Sequence, residues 1–215
     1  MTFIPTEALS QQVEVGPFAG GANYVGDVGN STYINPNTIF GGFLFKYNAT
    51  TRHSYRFSVL YSELSADDHR SRDLRRQERG YSFSTRLLEI SAGLEFTFEK
   101  FNLTRSDNHG TPYIYTGVNY YFADQLQATP QRIENGNGMV GNISLPISLG
   151  YKRKLNSFLT GGVEIGARYA LTDNLDGSHS GDFKFGNPNS NDWYIFTGLY
   201  VTVFFNNKAC YNNFE

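Results

Sequence analysis

The sequence predicts an all-β protein, an eight-stranded antiparallel up-and-down transmembrane barrel. Apolar and polar residues alternate with a period of two in eight separate segments. The connections between these segments alternate between short and long, as in outer-membrane barrels. The chain has 18 Phe, 15 Tyr and 22 Gly, and only 18% of its residues are charged, against about 25% in an ordinary soluble domain. Its apolar runs are far shorter than the roughly 20 residues of a membrane helix, so strands would have to cross.

The segments and their connections define the predicted topology. The predicted strands cover 12–24, 38–48, 53–65, 82–99, 111–123, 141–153, 158–171 and 192–205. Short or moderate connections fall at 49–52, 100–110 and 154–157, and long polar ones at 25–37, 66–81, 124–140 and 172–191. An even strand number then puts both chain ends on the short-turn side, which is the periplasmic side.

The alternation is clear in individual strands. In the third strand Tyr55, Phe57 and Val59 oppose Ser54, Arg56 and Ser58. In the fourth strand one face carries Leu88, Ile90, Ala92, Leu94, Phe96 and Phe98, and the other Glu89, Ser91, Gly93, Glu95 and Glu99. The sixth and seventh strands repeat the pattern at 147–152 and 159–169. The eighth strand has the glycine and alternating aromatics of a carboxy-terminal insertion signal at 197–205.

A soluble barrel of lipocalin type is the alternative interpretation, with the apolar faces lining a ligand cavity. Two features favour the membrane barrel. Charged residues stand in mid-strand between Ser and Gly, which suits a narrow interior better than a solvated outer wall. Lys, common on solvated surfaces, occurs only six times in the chain.

The polar faces predict a set of charges inside the barrel. Because a barrel of eight strands is filled by side chains, these charges should form paired, hydrogen-bonded clusters rather than a channel. We therefore expect no ion conduction. The predicted interior residues are Glu14, Lys46, Arg56, Glu89, Glu95, Glu99, Lys152, Glu164 and Arg168.

Composition and scattered motifs exclude several functions. A net charge of −2 gives no case for nucleic-acid binding. One Cys and four His exclude a disulfide framework and most metal sites, so no cofactor is expected. No His stands in mid-strand beside a Ser with an acid beyond it, so neither catalysis nor a small-molecule substrate is predicted. The arginine-rich segment 66–79 is either a solvated external loop or a contact for lipopolysaccharide phosphates or an acidic partner.

The two ends of the chain differ from the barrel in pattern. Residues 1–10 are interpreted as the remnant of a secretory signal peptide or as an ordinary frayed terminus. The barrel is predicted over 11–205, and 206–215 would form a periplasmic tail. Cys210 in this tail is expected to be buried or paired with another chain.

Several blocks, in order, resemble one known family. The segment 20–29 reads GGANYVGDVG, which resembles the GGxNYxGDxG opening of the PorG-like outer-membrane family of the type IX secretion system. Further similar blocks lie at 33–37, 45–48 with Arg52, 82–84 with Glu89 and 94–96, 111–113, 146–152, 164–168 and 172–176. The sequence departs from the family pattern at Asn174 and at 177–179. The motif residues are Gly20, Gly21, Asn23, Tyr24, Gly26, Asp27, Gly29, Thr172, Asp173 and Asp176.

The resemblance implies an outer-membrane component that is not an enzyme. In that family the barrel attaches a periplasmic ring, made of a lipoprotein and its partner subunit, to the outer membrane. The ring belongs to a protein-export machine that also supports gliding motility. Apolar groups among polar ones on the periplasmic side would suit such docking, and they are Phe101, Leu103, Phe158, Cys210, Tyr211 and Phe214. The alternative function is a stand-alone barrel whose external loops bind a surface or lipid.

Overall fold

The computed structural model describes residues 12–103, 109–172, 175–177, 185 and 191–206. Eight strands form one closed barrel in sequential order, each antiparallel to its neighbours, and the first strand pairs with the last. The predicted fold class is therefore confirmed. The strands are β1 (Gln12–Val25), β2 (Thr38–Asn48), β3 (His53–Asp67), β4 (Ser82–Thr97), β5 (Gly110–Ala128), β6 (Ile133–Lys154), β7 (Leu159–Ala170) and β8 (Trp193–Asn206).

The two faces of each strand follow the period-two pattern. In β4, Glu89 and Glu95 are fully buried, whereas the adjacent residue Leu94 points outward and is 39% exposed. The outward apolar series runs from Leu88 to Phe98. At about 3.3 Å per residue and a tilt of roughly 40°, this series covers about 25 Å along the barrel axis. That height matches the apolar band of an outer-membrane barrel.

A row of outward polar residues limits this apolar wall on the long-loop side. Glu63, Arg86 and Asp124 occupy adjacent strands β3, β4 and β5, and Glu63 is in register with Arg86. The Arg86 guanidinium binds the Asp124 carboxylate at 2.9 Å. Because lipid-facing charges are unfavourable near the midplane, this row marks the level at which the wall leaves the hydrocarbon.

The segment 124–140 is not the loop that the sequence predicts. β5 and β6 continue beyond the polar row as a hairpin, closed by a turn in which the Thr129 N–H donates to the Arg132 carbonyl at 2.8 Å. A bulge between Asp124 and Leu126 shifts the register there. Beyond the membrane neither face of a strand has to be apolar, so the sequence of this hairpin does not alternate between apolar and polar residues.

One helical element lies outside the wall. After a 3₁₀ turn at Asp68–Arg70, the short helix α1 spans Leu74–Arg79. The Asp73 carboxylate caps α1 by accepting from the Arg75 N–H at 2.9 Å, and this bond lowers the pKa of Asp73 below its usual value. Gly80 ends the helix with φ of +67°. No helix among the described residues is long and apolar enough to span a membrane.

Candidate functional site

The middle of the lumen is organised around one carboxylate. Glu95 on β4 binds the Lys46 ammonium at 2.8 Å and the Lys152 ammonium at 2.7 Å. The Arg56 guanidinium lies 3.9 Å from the same carboxylate. All four side chains are shielded from solvent. Three strands other than β4 thus supply cations to one acid, which ties the barrel together across its diameter.

A second acid continues this network. Glu164 on β7 accepts two hydrogen bonds from the Arg56 guanidinium, and the Tyr113 hydroxyl donates to it at 2.6 Å. The Lys46 ammonium also donates to the Tyr200 hydroxyl at 3.1 Å. Arg56 therefore links two carboxylates, and tyrosines on β5 and β8 fill the space beside them.

Further interior acids complete the ladder along the axis. Glu89 lies 3.5 Å from the Arg168 guanidinium and accepts from the Tyr194 hydroxyl at 2.7 Å. Glu14 accepts from the Thr202 hydroxyl at 2.7 Å and from the Asn48 amide at 2.8 Å. Side chains of both charges thus pack against one another along the described part of the lumen.

Glu99 is not an interior residue. β4 ends at Thr97, so Glu99 follows the strand and its side chain is exposed on the short-turn side, which is the periplasmic side in the predicted orientation. The Glu99 N–H donates to the Thr111 hydroxyl at 3.0 Å, which holds the chain in a turn. The period-two pattern continued past the real strand end, because a turn residue can match the alternation by chance.

The periplasmic mouth is closed by the turn after β4. Phe101 and Leu103 are 6% and 1% exposed and pack with Phe204 of β8. The Lys152 ammonium lies 4.7 Å from the Phe101 ring centre, and the Lys154 ammonium donates to the Leu103 carbonyl at 2.7 Å. The prediction that Phe101 and Leu103 form an exposed docking patch is therefore wrong. Their turn folds back across the lumen, where apolar side chains gain more from burial than from exposure.

Other apolar groups on this side remain exposed. Phe158 and Leu155 lie in the turn between β6 and β7, and they are 53% and 48% exposed. We call these two residues the periplasmic rim. Cys210, Tyr211 and Phe214 of the predicted docking set lie outside the described residues.

The external mouth is closed by residues of the family-like motif. The buried Tyr24 hydroxyl donates to Asp176 at 2.8 Å and is in contact with Asp192. Asp192 also accepts from the Leu175 N–H at 3.0 Å. A Cβ on Gly26 would lie 1.9 Å from the Tyr24 hydroxyl oxygen. Gly26 is therefore required because this cluster occupies the space of any side chain.

The arginine-rich segment 66–79 forms the second half of this closure. The buried Asp68 carboxylate binds the Arg79 guanidinium at 2.8 Å and accepts from the Gly29 N–H at 2.7 Å. Arg76 donates to the carbonyls of Gly26 and Gly29 at 2.9 and 3.0 Å. Gly29 has φ of +81°, a conformation that favours glycine. We call this assembly of Tyr24, Gly26, Gly29, Asp68, Arg76, Arg79, Asp176 and Asp192 the external cap.

The remaining motif residues have separate roles. A Cβ on Gly20 would lie 2.2 Å from the Thr197 carbonyl oxygen across the β1–β8 pair, whereas Gly21 faces Pro36 of the external loop. Asn23 donates to the Tyr33 carbonyl at 2.9 Å. Thr172 lies 3.4 Å from the Tyr121 hydroxyl. Asp27 accepts the Arg79 guanidinium on its backbone carbonyl at 2.8 Å, and Asp173 lies outside the described residues.

Sequence reasoning missed the most connected residues of the cap. Asp68 is buried and binds through both carboxylate oxygens, although its segment reads as a charged surface loop. The exposed remainder of that segment is His69, Arg70, Arg72, Leu74, Arg75, Gln77 and Glu78. One signal could have separated the cap residues from the exposed ones. Arg76 and Arg79 are three residues apart, which puts them on the same face of the short helix α1, and Asp68 precedes that helix.

Comparison with solved structures supports the barrel type. Ail, the attachment invasion locus protein of Yersinia pestis, is 8% identical, with a TM-score of 0.52 over 92% of this chain and 100% of that one. Neisserial surface protein A is 13% identical, with a TM-score of 0.50 over 89% of this chain and 96% of that one. At these identities the similarity concerns the fold alone. The fold is that of small outer-membrane β-barrel proteins.

Comparison with sequences places the chain in a family. A comparison with curated proteins finds no significant relative. A family model described as a domain of unknown function, DUF6089, matches residues 1–213. Since this match covers almost the whole chain, the protein belongs to the DUF6089 family.

Proposed function

We propose that this protein is a non-conducting outer-membrane anchor that holds a periplasmic ring, made of a lipoprotein and its partner subunit, to the membrane. The ring would be that of a type IX protein-secretion machine, as the resemblance to the PorG-like family implies. The barrel would lie in the outer membrane with its short turns in the periplasm.

One observation carries the proposal: in the described part of the chain, side chains pack the lumen, and residues of the turn after β4 and of the external cap are buried at its two ends. Glu95 with its three cations occupies the centre, and Phe101 and Leu103 are buried at the periplasmic end. A barrel built in this way offers its outer wall and its rims for function rather than a path through it. On the periplasmic side the periplasmic rim exposes apolar groups that suit contact with another protein.

The rim can be tested with substitutions that leave the lumen intact. Phe158→Asp should reduce the amount of ring lipoprotein that co-purifies with the barrel in mild detergent, because it places a charge in an apolar contact. Leu74→Asp is the matched control, since Leu74 is 72% exposed on the opposite, external side. Equal ring recovery from both variants would exclude the rim as the attachment surface. Absence of the ring from the wild-type preparation would contradict the anchor function itself.

The tail gives an independent test of attachment. β8 still pairs with β1 at its last residue, Asn206 with Gln12, so deletion of 207–215 should leave the barrel closed. We expect this deletion to reduce ring recovery if Cys210, Tyr211 and Phe214 bind the ring. Unchanged recovery would exclude the tail and leave the turns as the attachment surface.

A second candidate function is favoured by the external side. Arg70, Arg72 and Arg75 are exposed there, and Arg75 contacts only the partly exposed Asp73 of its own helix cap. Guanidinium groups suit phosphates, so a stand-alone role in contacting lipopolysaccharide or an external surface is the alternative. Binding of vesicles that contain lipopolysaccharide, lost in the triple Arg→Ala variant while ring recovery is absent in the wild type, would favour this function.

A further inference from the structure

A polar cavity opens beside the external cap. It has a volume of about 270 Å³ and lies between the loop after β1 and the adjoining ends of β3 and β4. This volume is just below the usual range of about 300–1,000 Å³ for drug-sized ligands, so the cavity suits a single small ring. Its lining includes Asn23, Tyr24, Asn35, Arg70, Ser82 and Phe83.

The lining combines amides and hydroxyls with aromatic surface. An Asn side chain both donates and accepts hydrogen bonds, which is also the property of a sugar hydroxyl. Tyr24 and Phe83, packed edge to face with ring centres 5.0 Å apart, add apolar surface that can meet the C–H groups of a sugar ring. The lining therefore matches a compact polyhydroxylated ligand on both its polar and its apolar sides.

The walls of the cavity are held by hydrogen bonds before any ligand arrives. The Asn23 amide donates to the Tyr33 carbonyl at 2.9 Å, and its oxygen accepts from the Asn35 N–H at 3.3 Å. Asn37 donates to the Ser65 carbonyl at 2.8 Å, which ties the loop to β3. Tyr24 is fixed by the external cap. A fixed wall lowers the entropy that binding would cost.

Some polar groups of the lining are still available. Within the described part of the chain, the side chains of Asn35, Arg70 and Ser82 have no hydrogen-bonding partner. Arg70 supplies one cation, but the Asp67 carboxylate lines the same cavity. An acid beside the only cation of the described lining disfavours a multiply charged anion such as phosphate, and favours a ligand that binds through hydroxyls.

We propose that this cavity is a saccharide-binding site that takes one hexose-sized unit at the cell surface. Asn35, Arg70 and Ser82 would bind its hydroxyls, and Tyr24 and Phe83 would contact its ring. The saccharide could belong to lipopolysaccharide of the same membrane or to a separate glycan. The site lies on the side opposite the periplasmic rim, so the proposal is independent of ring attachment.

The test uses the full-length protein in a phosphocholine detergent, because a detergent with a sugar headgroup would compete. Saturation-transfer NMR titrations measure binding of free hexoses, N-acetylhexosamines and lipid-free oligosaccharide from the expressing strain's lipopolysaccharide. The variants are Asn35→Ala and Arg70→Ala. The matched control is Arg72→Ala, which removes another exposed arginine of the same loop that does not line the cavity. The heat-dependent gel shift of folded barrels verifies that each variant is folded.

We expect saturable binding that is weakened about tenfold or more in Asn35→Ala and in Arg70→Ala, and unchanged in Arg72→Ala. Binding only of the lipopolysaccharide oligosaccharide would identify the membrane's own outer leaflet as the source, and binding of free sugars as well would identify a separate glycan. The proposal is overturned if the wild type binds no sugar of the panel, if the three variants behave alike, or if inorganic phosphate displaces the sugar.

Discussion

Glu95 lies within 4 Å of three buried cations in the lumen. Lys46 and Lys152 each bind one of its carboxylate oxygens, and Arg56 lies 3.9 Å away. Removing one partner of a buried ion pair is far more costly than never having built the pair, because the remaining charges stay buried without compensation. The stability of the barrel should therefore depend strongly on this one acid.

Glu95→Gln should lower the free energy of unfolding by about 3–5 kcal/mol. The substitution keeps the shape of the side chain but removes the acid that three buried cations share, so that Glu164 and Glu14 are left to balance them. Urea unfolding in lipid vesicles or micelles measures the change. Glu63→Gln is the control, because Glu63 is exposed on the outer wall, and a change within about 0.5 kcal/mol is expected there. Equal effects of both substitutions would contradict the lumen network.

Leu94→Arg should destabilise the protein by about 2–4 kcal/mol, because it places a charge on the lipid-facing wall near the midplane. Leu94 is 39% exposed on that wall. Leu74→Arg is the matched control on the external helix and should change the stability by no more than about 0.5 kcal/mol. The yield of membrane-inserted protein and its unfolding curve measure both. An undisturbed Leu94→Arg barrel would show that this face does not contact lipid.

At this scale the sequence predicts wall and lumen residues well, and cap residues poorly. Leu94 and Glu95 are consecutive, so the strand alone assigns them to opposite faces. Phe101 follows the strand, and only the path of its turn decides whether it faces solvent or the lumen. Tyr24 and Asp176 meet although they are 152 residues apart, and no local pattern contains that contact.

At the scale of elements, the external cap joins three loops into one lid. The loop after β1, helix α1 and the segment before β8 meet around Asp68 and Tyr24. The glycines of the motif are the residues on which this lid depends, because their neighbours leave no room for side chains. A substitution there should loosen the lid without opening the strand ladder.

Gly26→Ala should destabilise the external cap by about 1–3 kcal/mol, the cost of overpacking a filled site. Its Cβ would lie 1.9 Å from the Tyr24 hydroxyl oxygen and 2.4 Å from an Asp192 carboxylate oxygen. Proteolysis of the external loops on intact cells should therefore become faster, while the barrel remains heat-modifiable on gels. Gly41→Ala is the control, since no atom lies within 4 Å of its Cβ position. Identical digestion of the two variants would disprove the role of Gly26 in the cap.

Prediction of elements from sequence succeeds where the membrane imposes alternation. All eight strands lie in their predicted places, but β5 and β6 extend as far as Ala128 and Ile133. That extension rises above the row of Glu63, Arg86 and Asp124, where water replaces lipid. Polar residues are then allowed on both faces, so a hairpin and a loop have similar sequences.

At the scale of the whole molecule, the filled lumen predicts that the purified protein carries no steady ionic current. Among the described residues, the charged side chains of the interior include Glu14, Lys46, Arg56, Glu89, Glu95, Lys152, Glu164 and Arg168. They bind one another or neighbouring hydroxyls, so an ion would have to displace a network of charge-assisted bonds. Recordings in planar bilayers measure the current. Large, steady conductance from a homogeneous preparation would contradict both the filled lumen and the anchor proposal.

The pairing of β1 with β8 has a kinetic consequence. Gln12 lies opposite Asn206, so the last ladder to form joins residues at nearly opposite ends of the chain. Contacts between residues so far apart in sequence form slowly, because the chain loses the entropy of closing the intervening loop before these contacts stabilise the fold. Until β8 arrives, β1 presents unpaired N–H and C=O groups that can capture another strand. A stalled or shortened chain is therefore an aggregation hazard, and release of the finished barrel into the membrane must wait for its final strand.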